Sequence, residues 1–182
     1  KNPYPEEGYR QIVSRLATVN FCPTQLSAAN LKREKVLGKI YVVGNTVLDN
    51  IRAHKTKSVY SPQVLVTLHR RENLKTLPEW LVAIDKLAAE NPAIDFIYPV
   101  HPNPLIREAV LNCQHITFRD PLSHKNLISI LKDCLMAITD SGGIQEEGSF
   151  LNKKVIVCRK TTERPEGIQS GHSILCKSPS EL

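Results

Sequence analysis

The stretch AITDSGGIQEEGSF, residues 137–150, decides the fold because it joins a strand pattern to a helix pattern through two glycines. Its first residues complete an apolar run of strand length, and we predict a helix that begins after Gly143. We call Ser141, Gly142 and Gly143 the glycine turn, and residues 145–147 the polar triplet. The N–H groups of such a turn suit an anion, whereas the carboxylates that follow would repel one. The ligand therefore has to offer an anionic group and a group that carboxylates can bind.

Strand and helix patterns alternate along the chain from about residue 61 onward. Short apolar runs of strand length are separated by segments whose apolar residues recur with helical spacing, such as Trp80, Ile84 and Ala88. This alternation predicts an α/β fold with a Rossmann-like, doubly wound parallel sheet that has helices on both faces. The predicted strands are 64–68, 94–100, 115–118, 134–139, 154–158 and 173–176, and further helices are predicted at 104–111, at 125–132 and after Gly143.

The first 60 residues contain fewer elements than an independent domain of this kind needs. We predict helices at 6–17 and 27–35, each followed by one apolar run of strand length. Two short strands do not complete a doubly wound sheet, so we interpret residues 1–60 as the end of an N-terminal domain with the interdomain region. Residues 61–182 then form a C-terminal Rossmann-like domain.

Composition narrows the classes of function. The chain has 182 residues, of which 41% are hydrophobic, and this is enough for a sizeable core. Its net charge of +6 is scattered and only 5% of residues are aromatic, so nucleic acid is not an expected partner. The five cysteines have no short paired spacings, which argues against a disulfide framework and a zinc site. With no run of 18 apolar residues and no signal-peptide pattern, we expect a cytoplasmic protein without cofactor, metal or membrane partner.

Six polar clusters come directly after apolar runs that we predict to be strands. Parallel strands bring their carboxyl ends to one edge of a sheet, so we expect these clusters to converge on one crevice. Loops are polar in any protein, but generic loops would hold Ser, Asn, Gly and Lys, whereas these hold His, Arg, Glu and paired Gly. The clusters are 44–45, 69–73, 101–103, 120–124, 140–147 and 159–166.

The glycine turn and Glu147 together suit a nucleoside diphosphate. The turn is not the G-x-G-x-x-G fingerprint, and it lacks the lysine of a Walker loop. Glu147 lies on the order of 9 Å from the start of the helix at 1.5 Å per residue. At that distance its carboxylate can accept hydrogen bonds from ribose hydroxyls while phosphate oxygens contact the turn. A simple helix cap at Ser141 is the alternative interpretation of the turn.

Two clusters contain histidines and add groups that act on phosphates and protons. The sequence HRREN, residues 69–73, is called the histidine loop below. Its arginines suit phosphate oxygens, and His69 can move a proton or donate to a leaving oxygen. The sequence HPNP presents His101 and Asn103 on a backbone that two prolines restrict. Taken singly, the first cluster could be a charged helix start on the surface and the second an ordinary turn.

Taken together, these blocks of sequence resemble one enzyme family. TLHRREN, PVHPNP, TDSGGIQEE, TTERPE, GNTVLD and the opening PYPEEGYR are similar to blocks of the UDP-N-acetylglucosamine 2-epimerases of the non-hydrolysing bacterial type. The resemblance implies a glycosyltransferase-B-type fold of two Rossmann-like domains with the substrate between them. This chain would cover the end of the first domain and most of the second, the UDP-binding domain, without the C-terminal helices that close it. The full-length enzyme would be a homodimer that binds UDP-N-acetylglucosamine (UDP-GlcNAc) and UDP.

The resemblance also implies a reaction and the residues that perform it. The family inverts C2 of the sugar by eliminating UDP across C1–C2 to give 2-acetamidoglucal and then re-adding UDP on the other face. Glu6 and His69 are the implied catalytic residues. A second UDP-GlcNAc, which activates the enzyme, is implied to bind at Arg70, Glu72 and His101. The implied substrate-binding residues are Arg10, Ser141, Gly142, Gly143, Glu147 and Leu127.

The sequence departs from the family pattern at a few positions. His124 and Leu127 replace an aromatic pair that stacks on uracil, Lys160 replaces an aspartate, and Tyr9 precedes Arg10 where the family has asparagine. Two further family carboxylates belong to a region N-terminal to this sequence, so we expect the covered segment alone to be inactive. Two alternatives remain open. One is a hydrolysing epimerase that releases N-acetylmannosamine and UDP, and the other is a UDP-sugar-binding module without catalysis.

Overall fold

The computed structural model describes residues 4–52, 59–162 and 164–182. Pro3, Glu163 and part of the predicted interdomain region (53–58) lie outside the described residues. The chain divides into two compact units, Lys1–Ala53 and His54–Leu182. The assignment of residues 1–60 and 61–182 to two domains of the whole protein stays a prediction.

In the first unit, the described residues form a two-stranded parallel sheet with helices beside it. In order, its elements are α1 (Glu6–Leu16), β1 (Val19–Cys22), α2 (Gln25–Arg33), β2 (Lys39–Val42) and α3 (Val47–Arg52). The Thr24 hydroxyl accepts a hydrogen bond from Ser27 N–H at 3.1 Å, and this cap starts α2 earlier than the sequence predicts. Ala28 and Leu31 of α2 form a small core with Cys22.

The second unit is built on one parallel sheet. Its strands are β3 (Gln63–Thr67), β4 (Asp95–Pro99), β5 (Ile116–Arg119), β6 (Met136–Thr139), β7 (Lys154–Cys158) and β8 (Ser173–Cys176). Within the described residues they lie in the order β5-β4-β3-β6-β7-β8, and every neighbouring pair is parallel. When β3 is numbered 1 and the following strands 2 to 6, this order becomes 3-2-1-4-5-6, the strand order of dinucleotide-binding folds. The predicted Rossmann-like parallel sheet is therefore confirmed.

Helices connect these strands and cover the sheet. They are α4 (Leu77–Glu90), α5 (Pro104–Ala109), α6 (His124–Asp133), α7 (Gly142–Phe150) and α8 (Pro165–Gln169), and 3-10 turns lie at Arg71–Asn73, Val110–Asn112 and Pro179–Glu181. Crossover connections between parallel strands are right-handed, so the connections that run outward from β3 and from β6 put helices on opposite faces. One correction concerns α7, which begins at Gly142 and not after Gly143, so both glycines belong to its first turn.

The centre of the sheet is its most buried part. Val64, Leu65 and Val66 of β3 are at most 3% exposed, because β3 has a neighbouring strand on each side and helices on both faces. Trp80 and Ile84 of α4 belong to the same core. The packing of helices against the sheet therefore fixes the carboxyl ends of the central strands β3 and β6.

One of the six polar clusters does not lie on this sheet. Gly44 and Asn45 follow β2, which belongs to the two-stranded sheet of the first unit. The expectation that all six clusters share one edge is therefore wrong for this cluster, because apolar runs alone do not tell which strands pair. The other clusters follow β3, β4, β5, β6 and β7 of the larger sheet.

The described residues also bear on membrane spans, metal sites and reactive cysteines. Among the helices of the described ranges, none is long and apolar enough to span a membrane. The same residues contain no group of three or more His, Cys, Asp or Glu side chains that could hold a metal ion. The cysteines are free thiols, and burial raises the pKa of Cys113 and Cys134 to about 11. Thiols held protonated in this way are typical of structural cysteines and not of reactive ones.

Candidate functional site

The candidate site lies at the carboxyl edge of the larger sheet, at the point where the strand order reverses. The chain leaves β3 toward β4 on one side and leaves β6 toward β7 on the other, so a crevice opens between the ends of β3 and β6. Loops from five neighbouring strands meet along this edge. In spatial order they are 120–124, 101–103, 69–73, 140–147 and 159–166, of which residue 163 lies outside the described chain. The histidine loop and the glycine turn are therefore neighbours.

The carboxylate of Asp140 joins these two segments. Asp140 directly follows β6, has no exposed surface, and is given no role by the sequence patterns. Its oxygens accept hydrogen bonds from the backbone N–H groups of His69, at 3.1 Å, and Arg70, at 2.9 Å. The Asn73 side-chain amide donates to Asp140 at 3.1 Å and to the Cys158 carbonyl at 2.8 Å. The histidine loop is thereby fastened to the ends of both β6 and β7.

The N-terminal end of α7 has no side-chain cap. Ser141 N–H donates to the Thr139 hydroxyl at 2.9 Å, and that oxygen lies 2.6 Å from the hydroxyl oxygen of Thr67. The Ser141 side chain makes no capping hydrogen bond. Ser141 is thus the N-cap residue of α7 without a side-chain capping bond, and the first N–H groups of α7 keep their capacity to donate to an anion.

A guanidinium group lies against the first glycine of this turn. A Cβ atom on Gly142 would be 3.1 Å from Arg164 Cζ, so any larger residue there would press on the arginine. Arg164 Nε donates to the Glu146 carboxylate at 2.7 Å, which holds the side chain in place. A cation beside the positive end of the α7 dipole favours an anionic ligand between them. The sequence patterns place Arg164 in the polar cluster 159–166 but give it no individual role, because its partners are distant in the chain.

Each member of the polar triplet has a different partner. Gln145 accepts a hydrogen bond from the Thr162 hydroxyl at 2.7 Å, Glu146 binds the arginine described above, and Glu147 Oε1 lies 2.8 Å from His124 Nε2. Gln145 is 2% exposed and Glu147 is 4% exposed. The triplet therefore binds the loops on both sides of α7. Its last member, Glu147, is a buried acceptor about one and a half turns from the start of the helix.

Two histidines stack on each other at the crevice. The ring centroids of His69 and His101 are 5.7 Å apart, and the ring planes differ by 12°. Burial lowers the pKa of His69 below its ordinary value, while the Asp140 carboxylate, with Oδ1 3.8 Å from His69 Nδ1, raises it in part. His101 and Arg70 lower the pKa further. Without a ligand, His69 is therefore neutral at pH 7 and can act as a donor or an acceptor.

The residues implied for the activating ligand come from two neighbouring loops. Glu72 Oε1 accepts a hydrogen bond from Arg159 Nε at 2.6 Å, and the arginine is only 6% exposed. The Arg70 backbone is held by Asp140, and His101 lies in the loop after β4. Arg70 and His101 thus lie in the neighbouring loops after β3 and β4, whereas the Glu72 side chain binds Arg159 after β7, on the other side of β3.

One known protein family matches nearly the whole chain. The family model described as UDP-N-acetylglucosamine 2-epimerase matches residues 1–181 of the chain. The chain belongs to this family. Membership of the UDP-N-acetylglucosamine 2-epimerases, which the sequence blocks indicate, is therefore confirmed.

Relatives of known name and structure extend the match. The UDP-N-acetylglucosamine 2-epimerase of Campylobacter jejuni is 39% identical, over 93% of this chain and 51% of its own length. S. aureus MnaA, in a co-structure with UDP, has a TM-score of 0.88 at 34% identity, over 98% of this chain and 53% of its own. The UDP-GlcNAc 2-epimerase of Neisseria meningitidis bound to UDP-GlcNAc has a TM-score of 0.84 at 30% identity, over 98% and 55%. The glycosyltransferase-B-type α/β fold is confirmed, and the chain spans about half the length of the curated relatives it matches.

The first turns of α6 carry the two positions at which this 2-epimerase sequence departs from the aromatic pair of its family. The Ser123 hydroxyl caps this helix by accepting a hydrogen bond from Asn126 N–H at 3.3 Å. Leu127 is partly buried, whereas about half of the His124 side chain is exposed. Sequence patterns place His124 in the polar cluster 120–124 and mark it as a departure, and the structure makes it the neighbour of Glu147.

The two 2-epimerase residues implied in the first unit, Glu6 and Arg10, lie on α1. Arg10 donates from Nε and Nη2 to both oxygens of Glu7 at 2.8 Å, and its Nη2 also donates to Glu34 Oε1 at 2.6 Å. The hydrogen bond from Arg10 lowers the pKa of Glu7. Arg10 lines a cavity of about 560 Å³ within this unit, and Glu6 is exposed in the first turn of α1. Two carboxylates thus hold Arg10 in place on the wall of this cavity.

Proposed function

We propose that the whole protein interconverts UDP-GlcNAc and UDP-N-acetylmannosamine (UDP-ManNAc) by inverting C2 of the sugar. The proton on C2 is removed as the bond from C1 to the UDP oxygen breaks, which gives 2-acetamidoglucal and UDP. UDP then adds back to C1 while C2 takes a proton on the opposite face. The two steps balance without a cofactor. This chain contributes the half of the enzyme that binds UDP.

One observation carries this proposal: an anion-binding helix end and a buried acceptor lie on the same helix. The glycine turn offers N–H donors beside the Arg164 guanidinium, and Glu147 follows on the next turn of α7. A nucleoside diphosphate requires both, one for its phosphates and one for its ribose hydroxyls. The S. aureus and N. meningitidis structures contain UDP and UDP-GlcNAc, and their similarity to this chain supports the same ligands here.

His69 and Glu6 are the proposed groups that move protons. His69 follows β3, next to the strand that leads into the glycine turn, so its imidazole can donate to the leaving oxygen of the diphosphate. The charge of a bound diphosphate favours the imidazolium form and opposes the effect of burial. Glu6 as an acid/base carboxylate, Arg10 near the diphosphate and Leu127 near the uracil are supported by the resemblance.

A second ligand and an assembly are also part of the proposal. Arg70, Glu72 and His101 bind an activating UDP-GlcNAc, and the stacking of His101 on His69 gives this ligand a route to the reacting group. The whole enzyme is proposed to be a cytoplasmic homodimer. The resemblance to non-hydrolysing 2-epimerases supports both statements.

An isotope experiment on the full-length protein tests the reaction. In D₂O, inversion through elimination and re-addition introduces deuterium at C2 of both UDP-sugars, and NMR detects it. A hydrolysing epimerase would instead release N-acetylmannosamine and UDP. A binding module would bind UDP-GlcNAc and leave it unchanged. Either of these two results overturns the proposal.

A further inference from the structure

Asp140 is a buried charged residue that the proposed reaction does not use. Its carboxylate has no exposed surface, and an ionised carboxylate is costly to bury unless donors surround it. Such donors come from the histidine loop, through the N–H groups of His69 and Arg70 and the side-chain amide of Asn73. The loop at the end of β3 thus donates the hydrogen bonds that the buried carboxylate at the end of β6 requires.

We infer that Asp140 is a positioning residue that sets the place of His69 relative to the diphosphate at the glycine turn. The inference rests on the proposed function, since it assumes that UDP occupies this turn. The backbone of Asp140 leads directly into Ser141, while its side chain holds the backbone of His69. One residue therefore ties the proton donor and the diphosphate site together.

The packing around Asp140 leaves it little freedom to move. Asp140 N–H donates to the Thr67 carbonyl at 3.2 Å. Thr67 and Thr139 are paired in register on β3 and β6, and their hydroxyl oxygens lie 2.6 Å apart. The ends of the two central strands are locked in this way. A shift of the histidine loop would therefore break its bonds to the carboxylate.

The charge of Asp140 also acts on the His69 ring. Burial lowers the pKa of His69, and the Asp140 carboxylate, 3.8 Å from His69 Nδ1, raises it in part. The other charged groups that face the ring are His101, which stacks on it from the loop after β4, and Arg70 in its own loop, and both lower this pKa. Without the Asp140 charge, the pKa of His69 should fall further. Because the reaction requires protonated His69, kcat should then begin to decline at a lower pH than in the wild type.

Steady-state kinetics of full-length Asp140→Asn protein test the inference. The new amide turns an NH₂ group toward N–H donors, so we expect kcat to fall about 10²-fold, the scale of a small misplacement of a reacting group. The dissociation constant of UDP, measured by calorimetry, should change little because the glycine turn binds through its own backbone. The pH above which kcat declines should move downward.

Two further variants separate charge, position and general stability. Asp140→Glu keeps the charge and adds one methylene, so it should keep the pH dependence of kcat while kcat stays low. It also serves if Asp140→Asn does not fold. Tyr98→Phe is the control, because it removes a buried hydrogen bond to the Leu68 carbonyl, next to the histidine loop, and keeps the Asp140 carboxylate with its own hydrogen bonds. This control should lower thermal stability and leave the pH dependence of kcat unchanged.

Several results would overturn the inference. One is wild-type kcat in Asp140→Asn, and another is the same downward pH shift in Tyr98→Phe. A loss of UDP affinity as large as the loss of kcat would mean that Asp140 shapes the glycine turn and not the position of His69. If the wild-type enzyme does not epimerise UDP-GlcNAc, the proposed function fails. In that case an NMR titration of the His69 imidazole tests the inference without any turnover. An unchanged His69 pKa in Asp140→Asn would refute it.

Discussion

Glu147 is 4% exposed, and its neighbour His124 is 23 residues away in the sequence. We expect Glu147→Ala in the full-length protein to weaken UDP binding by about 1.5–3 kcal/mol, the value of hydrogen bonds to a charged group. Isothermal titration calorimetry measures this change. Unchanged affinity would mean that the ribose binds elsewhere.

The contact between Glu147 and His124 predicts that the effects of their substitutions on the free energy of UDP binding are not additive. A double-mutant cycle of His124→Ala and Glu147→Ala should give an interaction free energy of about 0.5–3 kcal/mol in UDP binding. Ser129 is an exposed residue on the same helix, so Ser129→Ala and Glu147→Ala should simply add. Additivity in both cycles would show that His124 does not position the carboxylate.

Burial of His69 gives the folded protein a pH dependence. The pKa of His69 is lowered by folding, so between that value and the ordinary value of about 6.5 the unfolded chain binds a proton that the folded chain does not. The stability that neutral His69 contributes is therefore present above this range and is lost as the pH falls through it. We expect His69→Asn to reduce the loss of stability between about pH 7.5 and pH 5.5, measured by urea denaturation. The same dependence of the unfolding free energy on pH in variant and wild type would contradict this expectation.

At the scale of elements, helix α7 approaches β7 closely because residue 148 has no side chain. A Cβ on Gly148 would lie 2.6 Å from Val155 Cγ2, so Gly148→Ala must displace the helix or the strand. We expect a loss of about 1–3 kcal/mol in the free energy of unfolding, the usual cost of overpacking. Gly143→Ala is a matched control on the same helix, because its Cβ would meet only Ser141 Oγ, at 3.7 Å. Chemical denaturation should find it no less stable than wild type, and equal losses in both variants would exclude overpacking as the cause.

The strands of the larger sheet and the helix α5 are predictable from the sequence, whereas the short helices α3 and α8 are not. A strand that is buried on both faces has a continuous apolar run, as in β3 and β7. The helices α3 and α8 have six and five residues, too few for helical periodicity to emerge. The start of α7 is misjudged because glycine weakens a helix locally, while packing against β7 places both glycines in its first turn.

For the candidate site, the sequence patterns identify residues at strand ends but not the partners that hold them. Strand order alone brings the histidine loop beside the glycine turn. Arg164 and His124 bind members of the polar triplet that are 18 and 23 residues away. Asp140 binds an amide 71 residues earlier in the chain. Contacts of this range follow from the folded sheet and leave no local spacing to detect.

At the scale of the whole molecule, the larger unit has its own core and carries the glycine turn, Glu147 and His69. The chain nevertheless spans about half the length of its relatives. We expect residues 1–182 alone to bind UDP, as measured by calorimetry, and not to epimerise UDP-GlcNAc, as measured by NMR of the sugar. Turnover by this chain alone would contradict the expectation, and loss of UDP binding would contradict the assignment of the site to the larger unit.

The bonds of the polar triplet limit which insertions and deletions the protein can accept. Loops at the surface usually tolerate extra residues, provided that their backbone and side chains are not tied down. In the loop after β7, Thr162 and Arg164 bind two consecutive residues of α7, so the length of the loop is matched to the gap between strand and helix. One residue inserted before Thr162 would break both bonds at once and carry a cation away from the helix end. Natural variants of this protein should therefore keep the length of this loop even where they change its residues.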